Sequence, residues 1–151
     1  MTQIDAGDDQ LRIRRFDEPV ARVTTPNGPL VVRAAHPYPP IRGMVADWRE
    51  GLSLIDQWAR EQPGDAPLVI AGDFNASRAH PGFRQLLGTL TESHRAAGQG
   101  WVRTWPQGGR IPRFVQIDHV LVRGMGVVDA GVVPIASSDH AAVWARVSLG
   151  G

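Results

Sequence analysis

The chain has 151 residues, the size of one ordinary domain, and its 42% apolar and 21% charged residues suit a packed core rather than global disorder. Its net charge of +1 carries no polybasic signature, and all 16 of its basic residues are Arg, so every side-chain cation apart from histidine is a planar bidentate fork. The chain has no cysteine, which excludes disulfides, zinc-thiolate sites, Fe–S clusters and thiol nucleophiles, and no run of about 18 apolar residues that would span a membrane.

The first dozen residues, with Asp5, Asp8 and Asp9, read as a frayed leader, and residues 1–18 are assigned to a flexible segment ahead of a domain over 19–149. Val20 to Thr25 alternates as a strand does, Pro26-Asn27-Gly28-Pro29 is a turn cluster, and Leu30 to Ala35 is a second strand, so the pair reads as a hairpin. His36 closes it ahead of the extended Pro37-Tyr38-Pro39-Pro40. Gly43 to Glu61 has helical spacing, with Trp48, Leu52, Ile55 and Ala59 on one face and Asp47, Arg49, Asp56 and Arg60 on the other. Leu68 to Ala71 is a continuous apolar run, the mark of a strand buried on both faces. Gly72-Asp73-Phe74-Asn75 follows it, and Pro81 opens a short helix through Leu87. Gly98 to Pro112 reads as a loop holding Trp101 and Trp105. Phe114–Val122, Val127–Val133 and Ala141–Val147 read as strands, the last preceded by Ser137-Ser138-Asp139-His140.

Polar groups gather at strand ends: His36, Asp73 with Asn75, Asp118, and Asp139 with His140. Strand-end loops are where a rigid sheet positions exposed side chains, and a set of carboxylates, an amide and imidazoles suits water attack on a phosphate ester assisted by a hard cation, Mg²⁺ or Mn²⁺. Each piece alone has a structural reading. Asp73 could close an Asx turn. Asp118, between Ile117 and Val120, needs a partner because burying a lone carboxylate costs several kcal/mol, and an Arg would serve. Asp139 and His140 could form a cap. His36 alone favours neither reading. His119 points to the face opposite Asp118 and reads as structural, and His80 and His94 read as surface or capping residues.

The combination of Leu68-Val69-Ile70-Ala71-Gly72-Asp73-Phe74-Asn75-Ala76, Gln116-Ile117-Asp118-His119-Val120-Leu121 and Ser138-Asp139-His140-Ala141-Ala142-Val143 resembles the endonuclease/exonuclease/phosphatase superfamily. The resemblance runs from about Val20 to Val147. It implies an α+β fold, the carboxyl-terminal part of a four-layer α/β/β/α sandwich of the deoxyribonuclease type, with a mixed, mostly antiparallel sheet and helices on one face. It also implies roles. Asp73 would deprotonate the attacking water, Asn75 would hold that water and a phosphate oxygen, and His36 would contact the phosphate. His140 would stabilise the developing charge with Asp118 behind it, and Asp139 would be a metal ligand for Mg²⁺ or Mn²⁺. The family's amino-terminal half contributes an Asn and a metal-binding Glu, usually in a Gln-Glu pair. No Gln-Glu dipeptide occurs here.

The function expected is hydrolysis of phosphate esters, as a phosphodiesterase, nuclease or phosphatase, by a chain that is incomplete alone. Nucleic acid, phospholipid head groups and inositol phosphates are all candidate substrates. Trp105 and Arg103, in the loop between motifs, are the candidate substrate-binding residues. An uncovered sheet face predicts either a homodimer, in which a second copy covers that face, or pairing with a missing amino-terminal half. Two other readings compete: a non-catalytic remnant or interaction module that keeps the fold without metal affinity, and a nucleic-acid-binding module using Trp101, Arg103, Trp105, Arg110 and Arg113. Met1–Arg15 is neither a signal peptide nor a transit helix, which places the protein in the cytoplasm if Met1 is the native start.

Overall fold

A computed structural model of the chain describes residues 2–4, 18–64 and 66–149. A six-stranded sheet is built from β1 (Thr2–Ile4), β2 (Val20–Thr25), β3 (Gly28–Ala35), β4 (Leu68–Asp73), β5 (Thr91–Glu92) and β6 (Asp118–Arg123), in the order β1-β2-β3-β4-β6-β5. Only the β3–β4 pairing is parallel. Parallel neighbours need a crossover, and α1 (Val45–Glu61) supplies it. A separate two-stranded sheet pairs β7 (Gly126–Pro134) with β8 (Ala141–Ser148). The short helices α2 (Pro81–Leu86) and α3 (Ser93–Ala96) complete an α+β architecture with a mostly antiparallel sheet, as the resemblance implied.

The strand register explains the core. Val31, Leu68 and Arg123 pair across β3, β4 and β6, as do Arg33, Ile70 and Leu121, so these rows share one face. On that face Trp48, Leu52, Ile55 and Ala59 of α1 and Phe83 and Leu86 of α2 pack against Val31, Leu68, Ile70 and Leu121. Burying each of the larger aliphatic side chains is worth about 2 kcal/mol. The two arginines on this face are bonded through their terminal nitrogens, while each Nε is buried without a partner among the described residues. Arg33 donates to Glu18 Oε2 at 2.6 Å and lies 4.7 Å from the centroid of the Trp58 ring. Arg123 donates to the carbonyls of Ala59 and Pro63 at 2.8 and 2.9 Å, satisfying the open C-terminal end of α1.

The other face carries the rows Val32–Val69–Val122 and Ala34–Ala71–Val120. Val120 and Val122 are buried, on the strand that packs against β8, but Val32, Ala34, Val69 and Ala71 are only half-buried. The expectation that β4 is buried on both faces therefore needs correction: its core side is closed, and its far side is apolar without being fully covered.

Other boundaries also differ. Thr2–Ile4 pairs antiparallel with β2 rather than fraying, and residues 5–17 of the expected leader lie outside the described residues. The strand expected from Phe114 begins at Asp118; residues 114–117 are irregular and bond to Thr104 and Trp105 of the loop, with a Trp105–Val115 bridge among these contacts. The small elements β5 and α3 were too short for periodicity to reveal.

His94, expected at the surface, is fully buried, as is His119. His94 Nε2–H donates to the Gly131 carbonyl at 3.0 Å, and Nδ1 lies 3.1 Å from Glu92 Oε1. Both partners accept, so both ring nitrogens carry protons and the ring is an imidazolium paired with a buried carboxylate. His119 Nε2 lies 2.9 Å from the Ala76 carbonyl oxygen, and its Nδ1 lies 3.2 Å from Gln116 Nε2. Burial alone would push the Glu92 carboxyl up. The His119 and His94 rings and the Arg95 N–H outweigh it and hold the group far below its ordinary range. Burial would likewise lower His94, but Glu92 and the Gly131 carbonyl raise it.

The Glu92–His94 pair sets a pH window. A depressed carboxylate contributes stability above its unfolded pKa and loses it as pH falls through the folded value. A raised imidazole contributes below its unfolded pKa and loses stability as pH rises through the folded value. Unfolding free energy, measured by urea titration at stepped pH, is expected to plateau between the ordinary Glu and His values of 4.5 and 6.5 and to decline on the alkaline side above the latter. Glu92→Ala, which strands a buried cation, is expected to cost about 3–5 kcal/mol within the plateau. A flat profile, or a loss under about 1 kcal/mol, contradicts the assignment.

Gly72 pairs with Ala35 of β3. Its φ is +151°, and a Cβ there would run into the Ala35 carbonyl oxygen. Gly72→Ala is expected to destabilise by about 3 kcal/mol, the upper end of overpacking penalties, in the same urea measurement. Retention of wild-type stability would show that the two strands part easily.

Candidate active site

The parallel pair β3–β4 brings two chain exits to one sheet edge. Ala35 is opposite Gly72, so His36 and Asp73 leave their strands side by side. Antiparallel pairing sets Asp73 directly opposite Asp118, the last residue of β4 against the first of β6, and both carboxylates lie on the less covered face. His140 enters from the other sheet, one residue ahead of β8.

His140 Nδ1 lies 3.0 Å from Asp118 Oδ2 and 3.2 Å from Oδ1. The carboxylate accepts the Nδ1 proton, which leaves Nε2 as the nitrogen that exchanges a proton. Nε2 faces Asp73, 3.9 Å from its Oδ2, and His36 Nε2 stands 3.8 Å from the same oxygen. Asp118 thus has a histidine partner where an Arg had been the structural alternative. Asp73 also closes an Asx turn, accepting the Asn75 N–H on Oδ1 at 2.7 Å, so the structural reading of the tetrapeptide holds without removing Oδ2 from the site. Asn75 adopts φ of +49°, a conformation Asn tolerates, and its amide nitrogen donates to the Pro37 carbonyl at 3.0 Å. The His36 backbone N–H is held by Glu18 Oε1 at 2.8 Å.

The electrostatics follow from this crowding. Burial raises Asp73, and the like charge of Asp118 adds to it. The Asn75 N–H and the two imidazoles pull the other way and only partly offset the rise. Burial would lower His140, but the Asp118 hydrogen bond and the charges of Asp118, Asp73 and Asp139 hold it above the ordinary imidazole range. The site therefore pairs a carboxylate that is more basic than usual with an imidazolium that holds its proton longer than usual.

Among the described residues, Asp73, Asp118 and His140 present ligand atoms within 4.8 Å of one another. Asp139 is not in that group. It is exposed, and it meets the loop through its backbone carbonyl, which accepts the Gln107 N–H at 2.7 Å. Trp105 is half-buried with its ring 6.4 Å from that of His140 and 5.9 Å from Phe114. Arg103 stacks on Trp101 at 4.8 Å, and Trp101 is 62% exposed. Residues 93–117 include four arginines and no acid, and Trp105 is the aromatic ring of this stretch that is recorded beside His140. Two polar residues of this loop, Thr104 and Gln107, were not singled out from sequence. A lone Thr or Gln in a loop gives no periodic or motif signal.

A model of the Endonuclease/Exonuclease/phosphatase family matches residues 3–140. A UPF0294 protein of Erwinia tasmaniensis is 36% identical over 74 residues, which are 49% of this chain and 26% of that protein. A functionally unknown conserved protein of Enterococcus faecalis V583 superposes with a TM-score of 0.71 at 19% identity, over 88% of this chain and 55% of that one. TDP2 of D. rerio, complexed with single-strand DNA product, gives 0.70 at 17% identity over 87% and 61%, and a mannosyl-6-phosphatase of Bacteroides thetaiotaomicron VPI-5482 gives 0.64 at 17% over 80% and 51%. At these identities the structures establish the shared fold, and this chain spans between half and two thirds of each. No helix among the described residues is long and apolar enough to cross a membrane. Proteins of the matched family are hydrolases of phosphate esters that generally use divalent metals. With 3–140 matched by the family model and the strand-end residues converging on one sheet edge, the chain belongs to the Endonuclease/Exonuclease/phosphatase family.

Proposed function

We propose that this chain carries the proton-handling part of a phosphate-ester hydrolase. The observation that supports this best is the ordered contact from Asp118 to His140 to Asp73, at 3.0 and 3.9 Å, on the rim of a sheet. Asp73 Oδ2 takes the proton of a water as its oxygen bonds to phosphorus, the ester P–O bond opposite breaks, and the leaving alkoxide takes a proton from solvent and departs as the alcohol. The Nε2–H of His140 donates to the phosphoryl oxygen on which charge grows. Asp118 fixes the tautomer and holds the ring protonated. His36 adds a second N–H toward the phosphate, and Asn75 has one amide N–H and a carbonyl left to orient water and a phosphate oxygen. Trp105 flanks the leaving group or an adjacent ring, and Arg103, braced on Trp101, offers a bidentate fork to a second phosphate. The two relatives described as a mannosyl-6-phosphatase and as a complex with DNA product show how broad a range of phosphate substrates this fold serves.

The described residues do not make a complete site for Mg²⁺ or Mn²⁺. Asp118 shares its carboxylate with His140 Nδ1, Asp139 lies outside the converging group, and Asp73 is flanked by two imidazoles, so the group offers two carboxylates and one imidazole. Hard cations require oxygen ligands, so the rest must come from substrate phosphate or from residues outside those described. Isothermal titration of the chain with Mg²⁺ is therefore expected to give a Kd of roughly millimolar or weaker.

The test is hydrolysis of bis-p-nitrophenyl phosphate with Mg²⁺ or Mn²⁺ in excess. The chain alone is expected to turn over slowly, and Asp73→Asn or His140→Asn to lower the rate by about 100-fold or more, to background. The rate should rise with pH through the raised Asp73 value, because the base must be free. It should fall through the raised His140 value, because the acid must be charged. If wild-type turnover is itself at background, orthovanadate titration decides: it should shift the His140 and His36 ring resonances, and Asp73→Asn should weaken that binding. Turnover that survives both substitutions, or vanadate that leaves both rings unmoved, overturns the proposal.

A further inference from the structure

We propose that Thr104 is a positioning residue that sets the Asp118–His140 contact. The proposal deepens the reading of that pair as the charge-stabilising unit. The pair spans two sheets: Asp118 opens β6 of the six-stranded sheet, and His140 precedes β8 of the two-stranded one. Thr104 is bonded to both sides. Its hydroxyl oxygen accepts the N–H groups of Ile117 and Asp118 at 3.2 and 3.3 Å, and its carbonyl accepts the N–H of Ala141 at 2.9 Å. Its own N–H donates to the Val115 carbonyl at 2.8 Å, which pins it to the segment leading into β6.

Thr104 is fully buried, so water cannot replace the hydroxyl. The two amide groups it accepts would be left unpaired without it, and an unpaired buried donor costs its full desolvation. The rest of the loop acts in the same sense. Gln107 donates from its side chain to the Ile135 carbonyl at 2.8 Å and from its backbone to the Asp139 carbonyl at 2.7 Å, holding the turn ahead of His140. The loop between Trp101 and Phe114 thus fixes the separation of two side chains that belong to neither it nor each other's sheet, with Thr104 where both bonds meet.

The experiment reads the His140 Nδ1–H proton by NMR on the full chain, assigned by its loss in Asp118→Asn. In wild type this proton, shielded and bonded to Asp118, exchanges slowly with solvent. Thr104→Val keeps the shape and removes the acceptor. It is expected to speed that exchange by about tenfold or more, the effect of losing roughly one hydrogen bond, while far-UV circular dichroism stays native. Thr104→Ser, which restores the oxygen, is expected to return the wild-type rate. A folded Thr104→Val with wild-type exchange at His140 overturns the proposal, whatever its stability. Should Thr104→Val fail to fold, amide exchange in wild type still decides. The Asp118 and Ala141 amides, held by one residue, must open together with the same protection. Protection differing by tenfold or more between them overturns the proposal. None of these outcomes depends on turnover, so a failure here leaves the hydrolase reading untouched, and background turnover leaves Thr104 testable.

Discussion

Two carboxylates, Asp73 and Asp118, oppose each other across the β4–β6 ladder with no arginine between them. Like charges directly opposite on a sheet destabilise it, so the surrounding structure must answer this one pairing. The answer is divided. Asp118 is taken up by the Nδ1–H of His140, and Asp73 is shared between the Asn75 amide and the two imidazoles beyond it. Three loops and a second sheet converge there because each delivers a group that the pair requires. The consequence is chemical as well as structural: burial and the neighbouring Asp118 raise Asp73, and, against the burial that would lower it, the Asp118 hydrogen bond and the nearby carboxylates raise His140.

Relief from a separate sheet makes the site depend on how the two sheets are joined. Among the described residues no backbone ladder connects them. The joints are discrete: Thr104 between β6 and β8, Gln107 around the turn before His140, and the buried imidazolium of His94 bonded to Gly131 of β7. The Glu92–His94 pair stands behind the site rather than in it. Removing either member of such a pair leaves the other as an uncompensated buried charge, so the two groups must stay together whatever the net worth of the pair. The half-buried row of Val32, Ala34, Val69 and Ala71 lies on the same face as Asp73 and Asp118, on the strands away from β8.

The strand-end residues were legible because their positions follow from local rules. A buried apolar run ending in Gly-Asp-Phe-Asn has to expose its polar residues at the strand end, and a period of two puts Asp118 and His119 on opposite faces, as the structure places them. The helix over Val45–Glu61 was legible from its 3.6-residue period, and the hairpin of β2 and β3 from its turn residues. The order and spacing of three such motifs were enough to indicate the family.

What the sequence could not determine has a common cause: it depends on contacts between residues far apart in the chain. His94 reads as a polar residue in a polar stretch, and only Gly131, 37 residues on, supplies the carbonyl that meets its Nε2 in the interior. Asp139 matches the metal ligand of the motif, yet backbone bonding of its turn leaves the carboxylate outside the group. Thr104 and Gln107 lie in a stretch without periodicity, and their importance exists only where two sheets meet. The sequence by itself determined which side chains stand at strand ends, since that is a matter of local backbone geometry. The tertiary structure alone decided which of them touch, because a contact across 22 residues, such as Asp118 to His140, is set by packing and by loop hydrogen bonds rather than by propensity.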